Sequence, residues 1–198
     1  MFKPTATSNL LIESVKPHIK TGKLLDLGCG SGIVGRSLLK EGLDVYASDI
    51  DKDVCLHVGW DEPILSRQGS LFEPWDMWKF DYIVDDVSGV AKDYAFPWFE
   101  GVATAGEDGS DLVCKVIRQA PKYLTESGIL FFPIVSLSNK QEIQRVALDT
   151  FENLTHIGHK DFILPKELQE KQIPKEYYKE RFGIKLMYTD IYMCERMT

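Results

Sequence analysis

A doubly wound α/β sheet is the fold that this sequence of 198 residues predicts, and three observations predict it. Short apolar runs of strand length alternate with runs of helical spacing, as successive βα units require. The stretch Leu24 to Leu39 packs an apolar run, a glycine cluster and an amphipathic run into one such unit. A later run, Lys79 to Asp86, is apolar and ends in two acids, which reads as a buried parallel strand with carboxylates at its tip.

Taken in order, Ser8 to Ile19 is a short helix with apolar positions Leu10, Leu11, Ile12 and Val15. Ser8 is its expected N-cap, and Pro17 and Gly22 close it. The strand from Leu24 then meets Gly28, Gly30 and Gly32, where the backbone turns sharply and a ligand approaches without a Cβ in the way. The next helix offers its N-terminus to a polar ligand, so the turn reads as a nucleotide-type cofactor site. Gly30, Gly32 and Gly35 also satisfy GxGxxG, a pattern shared with dinucleotide sites. Asp26 separates the two readings, because a carboxylate two residues before Gly28 suits a ligand with a cationic amino-acid end, not a pyrophosphate.

Ile33 to Lys40 continues as a helix that Gly42 ends, and Leu43 to Ala47 is a second strand finishing at Ser48 and Asp49. Asp49 stands about 20 residues beyond the glycines, where an acid accepts both ribose hydroxyls of a nucleotide. Asp51 is the competing acid and is expected to cap a helix from Lys52 to Val58. A third strand falls in Ile64 to Gln68. Asp111 to Leu124 has helical spacing behind Ser110 as cap, and Gly128 to Val135 is a buried strand. Ser138 is the expected cap of a helix from Lys140 to Phe151, and two strands follow around Leu154 to Leu164 and Leu186 to Arg196. Between them Pro165 to Gly183 is a charged, proline-interrupted, helical insertion, too polar for core. It caps a substrate site, carries a subunit contact or is a solvated excursion.

No repeat or linker divides the chain, so residues 1–198 are expected to form one domain, with an N-terminal helical segment at 1–22 and the insertion at 165–183. A chain of this size can bury roughly 70% of its unfolded surface. The net charge of -7 ranks nucleic acid below protein and small molecules as a partner. Cys29, Cys55, Cys114 and Cys194 form no CxxC pair and read as reduced thiols. His156 and His159 fall in a strand where their spacing puts them on opposite faces, so no metal site is expected. No run reaches transmembrane length and the N-terminus lacks the apolar core of a signal peptide, which points to a cytoplasmic protein with no membrane contact.

The string DLGCGSG, Asp26 to Gly32, resembles the first motif of class I S-adenosylmethionine (SAM) methyltransferases. GSLFEPW, KFDYIV and the stretch FEGVATAGEDGSDLVCKVIRQAPKYL resemble the HemK/PrmC group, which methylates a glutamine side-chain nitrogen and has relatives that methylate adenine amino groups. The resemblance covers most of Leu24 to Phe132. It implies a Rossmann-like sheet of about seven strands, the last antiparallel, with helices on both faces. It also implies SAM as cofactor, held by Asp26, Gly28, Cys29, Gly30, Gly32, Asp49 and Ile50, with Ser70, Leu71 and Asp85 near the adenine and the strand tip. The N-terminal segment resembles the part that folds over the SAM amino-acid end, where Thr7 or Ser8 supplies a hydroxyl.

Two departures bear on the acceptor. Ser70 replaces an Asp that meets the adenine amino group, leaving the Leu71 backbone as an alternative partner. Asp86-Val87-Ser88-Gly89 replaces Asn-Pro-Pro-Tyr, whose Asn oxygen and proline carbonyl hold a planar nitrogen with its lone pair aimed at the methyl. Asp86 keeps an acceptor oxygen, adds a charge, and is the candidate catalytic residue, orienting a more basic amine or a hydroxyl or taking its proton. Trp75, Trp78, Tyr94, Phe96, Trp98 and Phe99 cluster here in sequence, either as an acceptor pocket or as core. The reading is therefore a SAM-dependent methyltransferase acting on a nitrogen or oxygen of a protein or small molecule. The alternatives are a degenerate SAM-binding module that works through a partner and, more distantly, an NAD-dependent oxidoreductase. Oligomeric state stays open.

Overall fold

The computed structural model describes residues 6–61, 63–87, 89–95 and 105–196. Along them run α1 (Ala6–Val15), β1 (Gly22–Leu27), α2 (Ile33–Leu38), β2 (Leu43–Asp49), α3 (Lys52–Asp61), β3 (Ile64–Gln68) and β4 (Phe80–Asp85). Then come α4 (Lys92–Ala95), α5 (Asp111–Tyr123), β5 (Leu124–Val135), α6 (Lys140–Thr150), β6 (Asn153–Ile163), α7 (Lys166–Glu170), β7 (Lys179–Arg181) and β8 (Ile184–Glu195).

The strands form one sheet in the order β3-β2-β1-β4-β5-β8-β6, with β7 added as a short hairpin on β8. Strands β3 to β5 pair in parallel, and β8 runs antiparallel to both β5 and β6. The sheet thus has eight strands, one more than the seven expected, because the insertion contributes β7. The order reverses between β1 and β4, so the carboxyl ends of these two strands open the crevice in which α/β sheets bind ligands.

Apolar faces decide the layering. Leu10, Leu11 and Val15 of α1, Val34 and Leu38 of α2, and Val54 and Val58 of α3 pack on one face of the sheet. Val113, Val116, Ile117 and Ala120 of α5 and Ile143, Val146 and Ala147 of α6 pack on the other. Strands covered on both faces need continuous apolar runs, and β1 and β4 have them, with four and five buried residues respectively.

Local chemistry differs from expectation at three helix starts. Ser8 lies inside α1, which begins at Ala6, so it is not a cap. Ser110 does precede α5, but its hydroxyl donates to Asp108 Oδ1 at 2.6 Å and does not cap the helix. Asn139, not Ser138, caps α6 by accepting the Glu142 amide at 3.1 Å, while the Ser138 hydroxyl donates to the Val135 carbonyl. Asp51 does cap α3, accepting the Asp53 amide at 2.9 Å.

The insertion also departs from expectation. Only α7 and one 3-10 turn at Lys175–Tyr177 are helical; Lys179–Arg181 is the strand β7, and the remaining residues form bends, turns and irregular connections. Nor is it free of core residues, since Leu168 and Ile173 are buried with Val90, Val135, Leu137 and Met187 in a third apolar cluster.

Candidate cofactor and acceptor site

The site starts from the β1–α2 turn. Gly28, Gly30 and Gly32 have φ of 72°, 50° and 73°, in the left-handed region that side chains rarely adopt. At Gly28 a Cβ would also lie 2.7 Å from Val87 Cγ1, and at Gly32 one would lie 2.8 Å from Val58. Both the backbone conformation and the close approach of neighbours therefore require glycine. The turn is tied to β2 because the Gly28 and Cys29 amides both donate to the Ser48 carbonyl, at 2.9 and 3.0 Å. Cys29 itself is buried, and burial pushes its thiol far above the usual range, so it is an inert wall and no nucleophile.

Asp49 ends β2 facing this turn. Its Oδ2 accepts the Gly30 amide at 3.0 Å and its Oδ1 accepts the Asp51 amide at 2.9 Å. Each oxygen keeps a second lone pair, so the carboxylate can still take the two hydroxyls of a ribose. Ile50, next in the chain, is 73% exposed, an apolar side chain standing open at the strand tip. Leu71 has φ of 50°, an uncommon conformation for a branched side chain, and its carbonyl accepts the Ser48 hydroxyl at 3.3 Å. Ser70 turns its amide to Glu73 Oε2 at 3.1 Å.

Three aspartates converge beneath the turn. Asp26 and Asp85 are wholly buried; Asp85 pairs in register with Leu27, and the Asp86 amide donates to the Leu27 carbonyl at 3.2 Å. Asp26 Oδ2 accepts the Gly35 amide at 2.8 Å and Asp85 Oδ1 accepts the Val87 amide at 3.0 Å. The other oxygens, Asp26 Oδ1 and Asp85 Oδ2, are buried and hydrogen-bond no described group. Buried acceptors without donors are costly, and a ligand bearing a cationic donor fits them.

Burial, with the neighbouring Asp86 and Asp49 carboxylates, pushes Asp26 up to about 7. Burial, with Asp86 and Asp26 nearby, pushes Asp85 up to about 8. For Asp86 burial raises the carboxyl to about 6 against the Ser8 hydrogen bond that lowers it. That bond, Ser8 Oγ–H to Asp86 Oδ2 at 2.6 Å, spans 78 positions of sequence and fastens α1 to the acceptor loop. Ser8 thus meets the candidate catalytic residue, a pairing that neither residue's neighbours in sequence announce.

The aromatic residues divide. Trp75 and Trp78 pack with Tyr46 and Phe80 under the Arg67 guanidinium, which is core and not an acceptor wall. Tyr94 meets Tyr177 of the insertion edge to face, with centroids 5.7 Å apart, against the cluster that contains Val90. Phe96, Trp98 and Phe99 lie outside the described residues. An open groove lined by Leu43, Tyr46, Leu65 and Trp78 lies toward the amino end of β2, away from the glycine turn.

The AGEDGSD stretch is a brace. Asp108 accepts from the Ser110 amide at 3.0 Å, the Ser110 hydroxyl and Asn139 Nδ2 at 2.8 Å, joining the start of α5 to the start of α6. The Ser110 bond, against the penalty of partial burial, holds Asp108 below the usual carboxylate range. Asp108→Ala is expected to cost about 1–3 kcal/mol, measured as a lower urea midpoint with unchanged slope.

Comparisons with known proteins agree with this geometry. The family model described as methyltransferase small domain matches residues 3–56, which span α1 through the start of α3. The ribosomal protein uL3 glutamine methyltransferase of Francisella tularensis is 30% identical over 134 residues, 60% of this chain and 42% of that protein. The chain therefore spans about two fifths of the length of that curated relative. In fold it is similar to the Thermus thermophilus 16S rRNA N2 G1207 methyltransferase in complex with AdoMet and guanosine. There the TM-score is 0.63 at 16% identity, covering 98% of this chain and 44% of that one. It is also similar to the E. cuniculi Mtq2-Trm112 complex that methylates the eRF1 translation termination factor, with TM-score 0.64 at 13% identity over 99% of this chain and 98% of the other. With its glycine turn, its strand-end acids and its mixed sheet, the chain has the fold of these methyltransferases, and its residues 3–56 carry the match to the methyltransferase small domain.

Proposed function

We propose that this protein binds SAM in the crevice above β1, β2 and β4 and transfers its methyl group to a nitrogen or oxygen of a protein or small-molecule acceptor beside Asp86. The observation that carries the reading is the pair of unpartnered oxygens, Asp26 Oδ1 and Asp85 Oδ2, buried under a glycine turn next to Asp49. SAM, when bound, supplies an electrophilic methyl on a sulfonium. Asp49 accepts the ribose hydroxyls, the turn from Gly28 to Gly32 admits the ligand to the backbone, and Asp26 and Asp85 answer its positive charge. Ile50 covers a flat base, and the Leu71 backbone serves the adenine edge beside Ser70.

At the acceptor, Asp86 orients the nucleophile and takes its proton. A carboxyl raised to about 6 is a stronger base than an ordinary aspartate and is still mostly ionised at neutral pH. Ser8 fixes its rotamer. The insertion, through Leu168 and Ile173 against Val90, forms one wall of the acceptor side, with Tyr94 and Tyr177. The matched glutamine methyltransferase and the HemK-like stretches support a protein acceptor, and the net charge of -7 ranks nucleic acid below it. Among the described residues no helix is long and apolar enough to cross a membrane, and the four cysteines are free thiols; both accord with our placing the protein in the cytoplasm.

A second reading, a SAM-binding module without transfer, is favoured by the loss of Asn-Pro-Pro-Tyr at Asp86 to Gly89. Incubation of a cell extract with methyl-labelled SAM separates the two. Wild-type protein is expected to label a macromolecule or metabolite, and Asp86→Ala to lower the rate by about 100-fold, the range of a lost general base, with SAM affinity kept. Calorimetry showing SAM binding without any labelling assigns the protein to the module. Tight NAD binding without SAM binding overturns both.

A further inference from the structure

The sheet carries a second cluster of chemistry-bearing side chains on the face covered by α6. Alternation along a strand would send His156 and His159 to opposite faces, but β6 has a bulge between His156 and Gly158 that restores both to one side. Both rings then aim a nitrogen at the same oxygen: His156 Nε2 lies 3.1 Å and His159 Nδ1 2.6 Å from Asp190 Oδ1 on β8. The three ligand atoms all fall within 4.8 Å of one another. The expectation of no metal site rested on the alternation that this bulge removes.

We propose that His156, His159 and Asp190 bind a divalent transition-metal ion of the zinc class. Two imidazole nitrogens and one carboxylate oxygen on one side of an ion are a recurrent ligand set, and nitrogen donors select zinc, cobalt or nickel over magnesium or calcium. The surroundings are those of a built site. Asp190 has its other oxygen held by the Lys140 ammonium at 2.6 Å, which fixes the carboxylate and leaves Oδ1 for the ion. Behind His159, Asp161 Oδ1 stands 3.1 Å from Nε2, and a carboxylate there accepts the ring N–H and leaves Nδ1 as the ligating lone pair.

One group competes. Lys179 Nζ lies 3.1 Å from His159 Nε2 and 3.0 Å from Asp161 Oδ1, so its charge opposes an ion and its hydrogen bond opposes the ligating tautomer. Its side chain is 43% exposed and free to swing outward on ion entry. The ion would then pin β6 to β8 across the bulge, at the position where β8 residue Asp190 pairs with Ile134 near the carboxyl end of β5.

Calorimetry of the tag-free full chain, stripped with chelator and titrated with zinc, cobalt and magnesium chlorides near neutral pH, tests this. One ion per chain is expected for zinc and cobalt and none for magnesium. His156→Gln and His159→Gln, both at exposed positions where the fold is expected to survive, should each weaken binding by at least about tenfold, and Asp161→Asn by about tenfold. Lys179→Ala should tighten it. No saturable zinc binding by the wild-type chain overturns the proposal. So does zinc binding that the double variant His156→Gln/His159→Gln leaves unchanged, because the ion then sits elsewhere, for instance on the cysteine thiols.

Discussion

Asp49→Ala is expected to weaken SAM binding by about 100-fold, the second largest effect in this molecule after any change that unfolds it. The magnitude follows from two hydrogen bonds to a carboxylate, each worth about 1.5–3 kcal/mol, of which about 2.7 kcal/mol survives the partial replacement by water. The change also frees the Gly30 amide, which Asp49 Oδ2 holds at 3.0 Å, so the turn loses one of its ties to β2. Calorimetry with SAM and with a 2′-deoxyribose analogue separates the two effects. If the carboxylate acts on the ribose, the penalty shrinks for the analogue; if it acts only by holding the turn, the penalty is equal for both. Unchanged affinity for SAM would move the ribose contact to another residue. Asp51 is poorly placed to inherit it, because its Oδ1 already accepts the Asp53 and Val54 amides at the start of α3.

That Asp51 caps α3 was legible from the sequence, and so were the strands, for a common reason. A glycine turn, a buried strand tip and a helix start are local, and local chemistry determines them. β3 spans Ile64–Gln68, the stretch in which a third strand is expected, and β4 and β8 end within two residues of their expected limits. What the sequence hid depends on residues far apart along the chain. Ser8 looks like a cap because serine is a good one, yet its hydroxyl serves Asp86 across 78 positions. Leu168 and Ile173 sit among charged residues, so composition reads their segment as solvated, while the third apolar cluster buries both. The bulge at His156 inserts one residue into a ladder whose partner strand lies some thirty positions on, and only the pairing with β8 reveals which face each histidine takes. Trp75 and Trp78 follow the same rule, since Tyr46 on β2 claims them before any ligand does.

The buried acids make the ligand-free protein less stable as pH rises, the reverse of the usual carboxylate effect. Asp26, Asp85 and Asp86, raised to about 7, 8 and 6 chiefly by burial, keep protons in the folded state that the unfolded chain releases near its ordinary value of 3.8. The folded state therefore binds more protons than the unfolded state between about pH 4 and 8, and stability falls across that window as pH increases. Asp108 and Asp190 are shifted the other way, so their stabilisation is lost below the window and does not mask the slope. One proton of difference is worth about 1.4 kcal/mol per pH unit, and a chain of this size responds by about 2–4 °C per kcal/mol. A fall of about 5–10 °C in the unfolding midpoint is expected between pH 6 and 8 without ligand. Asp85→Asn keeps an acceptor for the Val87 amide but removes the group with the largest rise, so it should flatten the slope and raise the midpoint at the upper end. Addition of SAM should oppose the same slope, because a cationic ligand prefers the ionised acids and gains up to about tenfold in affinity per pH unit while one proton is released. A midpoint that is level or rises from pH 6 to 8 in the ligand-free chain would mean that these carboxyls already have a positive partner in the folded protein. In that case Asp26 and Asp85 would have no vacancy for the charge of SAM, and the cofactor would have to be held by Asp49 and the glycine turn alone.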